Sequence, residues 1–364
     1  LEQSPADIVI LSAADSSLSA LANAANNLPE SFPSIRLANW MHLRKPAAFD
    51  LYQHKVLEGS QLVVLSLLGG KSYWEYGFEQ LQNWVSEKVS RQLIIVPGDD
   101  AEDHELLSAS TVSIGEAVRV WRFLREGGSN NSDHLFKYLA DEYLNHSCDW
   151  HEPKILPKSL IYLPKKEAHD CSDENPHHPE LGATLAEWKS YVVPQESVNQ
   201  ALTEVSVCII LFYRSHLQNA NTAMFDDFIA CVQAQGLKPL PIAVSSLKDS
   251  ESLALINHLI DASNARIILN TTGFASNSSS LSGSEFSAAT DSGPSYFTSP
   301  FINQIPIIQV MLSSTLQEDW AMNTQGLNSR DLAMQVVLPE MDGRVISRAI
   351  SFKAEDDFDE RCEI

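Results

Sequence analysis

Two long stretches of this chain alternate short apolar runs with amphipathic segments, and that alternation restricts the fold more than any other feature. In the first, Asp7 to Ala13, Ile35 to Ala38, Leu62 to Leu68 and Leu93 to Pro97 read as buried strands. Helical spacing fills the gaps at Ser16 to Asn27, around Leu51 to Leu57 and at Leu81 to Val89. A further helix sets Ile114, Ala117, Val118, Trp121 and Leu124 on one side, is stopped by Gly127-Gly128, and is followed by another over Asp133 to Leu144. In the second stretch Val205 to Phe212, Leu240 to Val244, Ala265 to Leu269 and Ile305 to Met311 have strand character, with helices at Thr222 to Gln235 and Ser252 to Leu259. Continuously apolar strands separated by helices are the pattern of a parallel sheet covered on both faces, because a parallel pair needs a crossover and the crossover helix buries the sheet. The fold class is therefore α/β, as two doubly wound, mostly parallel units joined by an irregular linker.

The linker is marked by a change of composition. Pro, His and acidic residues concentrate in His169-Asp170-Cys171-Ser172-Asp173-Glu174-Asn175-Pro176-His177-His178-Pro179, with one short strand at Ser159 to Leu163. The expected boundaries are a head domain over 1–150, a neck over 151–204 and a second α/β unit over 205–364. Ser276 to Ser299 is a Ser-rich loop of low complexity. The ends read as those of a piece cut from a longer chain.

Charge and composition exclude several classes. A formal net charge of -22 opposes binding to nucleic acid, which needs clustered Lys and Arg, and to anionic membrane surfaces. The longest apolar runs, such as Leu62 to Leu68, are far too short to span a bilayer. Five cysteines without a CxxC pair suit reduced thiols and a cytoplasmic setting.

Five motifs bear on chemistry. Gly69-Gly70-Lys71-Ser72 follows a strand, but Leu65 stands where a phosphate-binding loop needs its first Gly, so the chain is not expected to hydrolyse ATP. His169, Cys171, His177 and His178 are potential metal ligands at a spacing that matches no standard zinc pattern; a solvated linker explains them equally simply. Glu340-Met341-Asp342-Gly343 reads as a solvated turn. Tyr213-Arg214-Ser215-His216 and Asn270-Thr271-Thr272-Gly273-Phe274 sit at the carboxyl ends of two strands, the edge where open α/β sheets collect ligands. Arg supplies a fork for a carboxylate, His a proton acceptor or metal ligand, and small polar groups beside one Phe suit a flat ligand. An ordinary strand-to-helix loop and a turn with a buried Phe fit these residues as well.

These loops resemble the signature stretches of the large subunit of cobaltochelatases of the CobN type. The resemblance runs through Phe212-Tyr213-Arg214-Ser215-His216-Leu217, Asn221-Thr222-Ala223, Asn270-Thr271-Thr272-Gly273-Phe274-Ala275, Pro306-Ile307-Ile308-Gln309-Val310 and Leu338-Pro339-Glu340-Met341-Asp342-Gly343-Arg344. Upstream it takes in Gly69-Gly70-Lys71-Ser72-Tyr73-Trp74, Pro97-Gly98-Asp99-Asp100 and Arg125-Glu126-Gly127-Gly128, so it is nearly end to end. It implies ATP-dependent insertion of divalent cobalt, as substrate, into a corrinoid, hydrogenobyrinic acid a,c-diamide, during aerobic cobalamin synthesis. ATP and Mg2+ would be handled by AAA+ and metal-binding-type partner subunits. On that reading His216 is the metal-relay ligand or base, Arg214 pairs with a corrin carboxylate, and Tyr213, Ser215, Asn221, Thr272, Gly273 and Phe274 contact the ring. The alternatives are a magnesium chelatase large subunit acting on protoporphyrin IX, which shares the Arg-Ser-His-Leu and Thr-Gly-Phe-Ala stretches, and a non-enzymatic tetrapyrrole-binding module.

Overall fold

A computed structural model describes residues 2–99, 101–164, 182–192, 206–273, 301, 305–354 and 358–364. The chain divides into two compact units, one of residues 1–156, 218–221 and 356–364, the other of 157–217 and 222–355.

The first unit is built on four parallel strands, β1 (Ile8–Ser12), β2 (Ile35–Asn39), β3 (Leu62–Leu67) and β4 (Gln92–Pro97), in the order β2-β1-β3-β4. Every residue of β1, β2 and β3 is buried, including the polar Ser12, Arg36, Asn39 and Ser66 among their apolar residues. Alternate side chains feed two cores. One face meets α1 (Asp15–Ala25), and the other meets α2 (Pro46–Lys55), α3 (Glu75–Ser86) and the short α4 (His104–Ser108). The α1 face is shared with α5 (Ile114–Glu126) and α6 (Gly128–Leu144). On the other face the Trp40 and Trp74 rings stack at 5.1 Å, and Phe49 meets Trp74 edge-on.

Helix α5 opens with a capping box, in which the Ser113 hydroxyl accepts from the Glu116 N–H and the Glu116 carboxylate accepts from the Ser113 N–H. Gly127 ends α5 as the sequence suggests, but its φ of 61° also starts α6, which begins at Gly128 rather than near Asp133. Residues 358–364 close against β2, where the Leu37 N–H donates to the Cys362 carbonyl and Arg36 pairs with Glu363 at 2.7 Å. Cys362 is wholly buried in the first core, although its place in the sequence groups it with the second stretch.

The second unit begins with β5 (Ser159–Ile161) and α7 (Leu185–Val192). It continues with β6 (Val207–Tyr213), α8 (Ser215–Gln218), α9 (Ala223–Ala234), β7 (Lys238–Val244), α10 (Ser250–Ser263), β8 (Ala265–Asn270) and β9 (Ile307–Leu316). After β9 come the short helices α11 (Gln317–Met322) and α12 (Ser329–Asp331), a π-helical turn at Leu332–Val337, α13 (Leu338–Met341) and β10 (Val345–Lys353). The strand order is β10-β9-β8-β6-β7-β5, parallel throughout except for β5, which pairs antiparallel with β7. Apolar residues of α9 pack one face with Phe212, while α10 packs the other with Trp188. Thus the described part of the expected neck adds an edge strand and a helix to this second sheet. Neither the His169–His178 cluster nor the Ser276–Ser299 loop lies within the described residues. Among the described residues no helix is long and apolar enough to cross a membrane.

Candidate functional site

In the second sheet β6 lies between β7 and β8. From β6 the chain leaves through α9 to β7, and from β8 it continues on the opposite side to β9. In the strand order β7 and β9 lie on opposite sides of this pair, so the chain leaves β6 and β8 in opposite directions along the sheet, and the crevice between their carboxyl ends is the topological switch point at which open sheets bind ligands. The two loops singled out in the sequence are those that leave these two strands.

Hydrogen bonds tie the loops together. The Thr271 N–H and hydroxyl both donate to the Leu211 carbonyl at 2.9 Å, and the Tyr213 hydroxyl donates to the Gly273 carbonyl at 2.9 Å. Beneath them lies a buried polar network. The Asn270 amide donates to the Thr272 carbonyl at 2.9 Å and to Gln309 Oε1 at 2.7 Å, and the Thr272 hydroxyl donates to Asn270 Oδ1 at 2.9 Å. Gln309 Nε2 donates to the Thr272 carbonyl and to Gln335 Oε1. Arg344 inserts its guanidinium, with Nη1 donating to Gln309 Oε1 at 2.8 Å and Nη2 meeting Asp342 at 2.9 Å. The Arg344 and Asp342 side chains are 1% and 4% exposed. Burial lowers the Arg344 pKa from its ordinary value, and the Asp342 carboxylate opposes that shift.

A π-helical turn covers this frame, for a Cβ on Gly273 would come within 3.3 Å of the Met334 carbonyl. Gly273 is thus a close-approach glycine. Gln309, Gln335, Asp342 and Arg344 were not marked as site residues by sequence reasoning. Gln309 carries a signal, a lone polar residue in the apolar run Pro306 to Leu312, and Arg344 closes the signature stretch Leu338 to Arg344, which by itself assigns it no role. In the turn at Glu340 to Gly343, Glu340, Met341 and Gly343 are exposed as expected, but Arg344 draws the Asp342 carboxylate inward.

The other expected site residues take different positions. Thr272 has no exposed surface and helps hold the loop, so in this conformation its side chain is not open to a ligand. Arg214 is half-buried; its N–H donates to the Val244 carbonyl and its Nη1 to the Pro157 carbonyl at 3.2 Å. Ser215 is exposed at the start of α8. His216 is half-buried, its ring edge-on to Phe225 at 4.8 Å, and desolvation pushes its pKa down to about 4. The imidazole is therefore neutral at physiological pH, with a lone pair available for a metal but little basicity. Asn221 is exposed and groups with the first unit. Phe274 lies outside the described residues. Among the described residues no three His, Cys, Asp or Glu side chains gather as a metal-binding set, so His216 is not part of a preformed cage.

At the failed phosphate-loop motif, Gly69 and Gly70 have φ of 83° and 76°, and the Lys71 ammonium lies over the Phe78 ring at 5.1 Å.

Comparison with known proteins gives a consistent result. The family model described as CobN/Magnesium Chelatase matches residues 121–363. The Aerobic cobaltochelatase subunit CobN of Pseudomonas aeruginosa is 40% identical over 353 residues, covering 97% of this chain and 25% of that protein. The protein of the same name from Sinorhizobium sp is 33% identical over 365 residues, covering 100% and 26%. The Magnesium-chelatase subunit ChlH from rice is 22% identical over 272 residues, covering 73% and 18%. Among solved structures, the Catalytic Subunit of Cobaltochelatase from Mycobacterium tuberculosis superposes with a TM-score of 0.64 at 22% identity, over 98% of this chain and 25% of that one. This chain therefore spans about a quarter of the length of the curated cobaltochelatase relatives it matches.

Proposed function

Because this chain belongs to the CobN/magnesium chelatase family, we propose that it is part of the large, tetrapyrrole-binding subunit of an ATP-dependent cobaltochelatase. Its reaction would be the insertion of Co2+, as substrate, into the corrinoid hydrogenobyrinic acid a,c-diamide during aerobic cobalamin synthesis in the cytoplasm. The observation that carries this reading is the 40% identity to a CobN subunit along 97% of the chain, against 22% for the magnesium relative. ATP and Mg2+ would act on separate AAA+ and metal-binding-type subunits, in keeping with the missing first glycine at Leu65.

Insertion requires the inner pyrrolic protons to leave and the cobalt ion to shed water. His216 suits a metal-relay ligand better than a base, since a group with a pKa near 4 holds a proton poorly at neutral pH. Half-buried Tyr213, whose hydroxyl donates to the carbonyl of the buried Gly273, would offer its open part to one face of a macrocycle, and Gly273 would act by holding the loop. Arg214 would meet a peripheral carboxylate of the corrin, with Ser215, Asn221 and Phe274 as further contacts. Thr272 would act by holding the loop.

The test uses the full-length subunit with its purified partner subunits. His216→Ala should lower the cobalt insertion rate while leaving corrin affinity, read by the spectral shift on titration, within about threefold of wild type. Unchanged insertion would remove His216 from the mechanism. Magnesium insertion into protoporphyrin IX by the same assembly, with no cobalt activity, would replace the cobalt assignment.

A further inference from the structure

The first sheet has its own switch point, between β1 and β3, whose connections part to opposite faces. A cavity of about 190 Å3 opens there, lined among others by Ser12, Ser17, Ser66, Gly98, Arg125 and Ser132. Ser66 and Ser132 are only 9% and 4% exposed, and their hydroxyls make no hydrogen bond to any described residue. Both residues line the cavity, so their hydroxyls can exchange water for the acceptor atoms of a ligand held there.

Two helix starts reach the same cavity. Helix α1, of 11 residues, begins after Ala14 without a side-chain cap; Ala14 and Ser17 line the space, the Ala14 N–H donating to Ser12 Oγ at 3.3 Å and the Ser17 N–H to the Ala14 carbonyl at 3.1 Å. Helix α6, of 17 residues, begins after Gly127, again without a side-chain cap. Uncapped first-turn N–H groups carry partial positive charge and favour an anion. The Arg125 guanidinium, stacked over Trp121 at 4.6 Å, adds a cation whose charge is partly met by Glu126. Asp99 also lines the space, but one of its carboxylate oxygens accepts the Ala101 N–H.

From this combination we propose that the head unit binds a small phosphate-bearing anion at the β1/β3 edge, held by the serine hydroxyls and the first turns of α1 and α6. The cavity is smaller than a drug-sized pocket, which limits the ligand to inorganic phosphate or a short phosphomonoester. This site is in the first unit and does not depend on the chelatase reading of the second.

Calorimetric titration and thermal melting of the 364-residue chain test it, with sodium phosphate, ribose 5-phosphate and ribose as probes, and sodium chloride at matched ionic strength as the control. Phosphate or its ester should bind saturably, and ribose and chloride should not. Tighter binding of the ester identifies a phosphomonoester site, and tighter binding of phosphate alone a free-anion site. Ser17→Asp, which adds a negative charge at the rim, should weaken binding about tenfold or more. Ser66→Ala removes one donor at little risk to folding and should weaken it about threefold to tenfold. Equal responses to phosphate and chloride, or wild-type affinity in Ser66→Ala, would overturn the proposal. Neither outcome would alter the cobalt insertion assay.

Discussion

Replacing Arg344 with Met tests whether the buried network beneath the Thr271–Gly273 loop holds that loop in place. The side chain is 1% exposed, and its partner Asp342 is 4% exposed, so Arg344→Met leaves a carboxylate in a dry site beside the methionine. It also removes the donors to Gln309 Oε1 and the Thr272 carbonyl. Breaking a buried pair from one side costs about 3–5 kcal/mol, which for a unit of this size is a fall of roughly 6–20 °C in melting temperature. Adding Asp342→Asn removes the stranded charge and should recover at least about 1.5 kcal/mol, a coupling expected of residues in direct contact. Hydrogen exchange by mass spectrometry on peptides from β8 and β9 reads the change locally, with β1 and β3 as internal controls. A cost below about 1 kcal/mol for Arg344→Met, or strict additivity in the double mutant, would show that the network is incidental to the loop.

Two further outcomes follow from titration and burial. The His216 pKa is depressed by desolvation to about 4 from an ordinary 6.5, so the folded state prefers the neutral ring. Its contribution to stability is complete above the unfolded value and is lost as pH falls from about 6.5 towards 4. An NMR titration of its ring protons should show protonation only near pH 4, and a midpoint at 6 or above would contradict the buried placement. Cys208 has its pKa raised to about 12 by burial, whereas Cys231 is exposed. Iodoacetamide at pH 8 should therefore label Cys231 in the native protein and reach Cys208 only after unfolding, as read by peptide mass spectrometry. Rapid native labelling of Cys208 would argue against the packing of β6.

The strands of both sheets that were legible in the sequence are those buried on both faces. Ile95, Ile209 and Ile242 belong to runs with no polar interruption, Val63 to one broken only by Ser66, and each lies in a central or covered strand. β10 escaped notice for the converse reason. It is an edge strand whose residues are largely exposed or half-buried, and Val345-Ile346-Ser347-Arg348-Ala349 has neither a continuous nor a cleanly alternating apolar pattern. The early start of α6 was obscured because Gly128, Asn130 and Asn131 are poor helix formers. In the structure Asn131 is held by bonds between its side chain and the Gly127 and Lys154 carbonyls, a long-range effect that local propensity cannot report. At the candidate site, the two loops were readable because strand ends are readable. The polar frame under them was not, since Gln309, Gln335 and Arg344 come from three separate elements and acquire meaning only when the sheet brings them together.

In both sheets the first of the parallel strands lies between the second and third, yet their switch points differ in chemistry. At the β1/β3 edge serine hydroxyls surround open space. At the β6/β8 edge the polar groups satisfy one another, and Asn270, Gln309 and Arg344 are each no more than 5% exposed. A ligand at the second edge therefore gains nothing by entering between the strands, because each donor it met would first have to surrender an existing partner. It would have to lie across the rim, where Tyr213 is half-buried and the half-buried imidazole of His216 is neutral. At the first edge the serine hydroxyls face open space, so one strand order yields two edges that differ in whether the crevice is already filled by the protein's own hydrogen bonds.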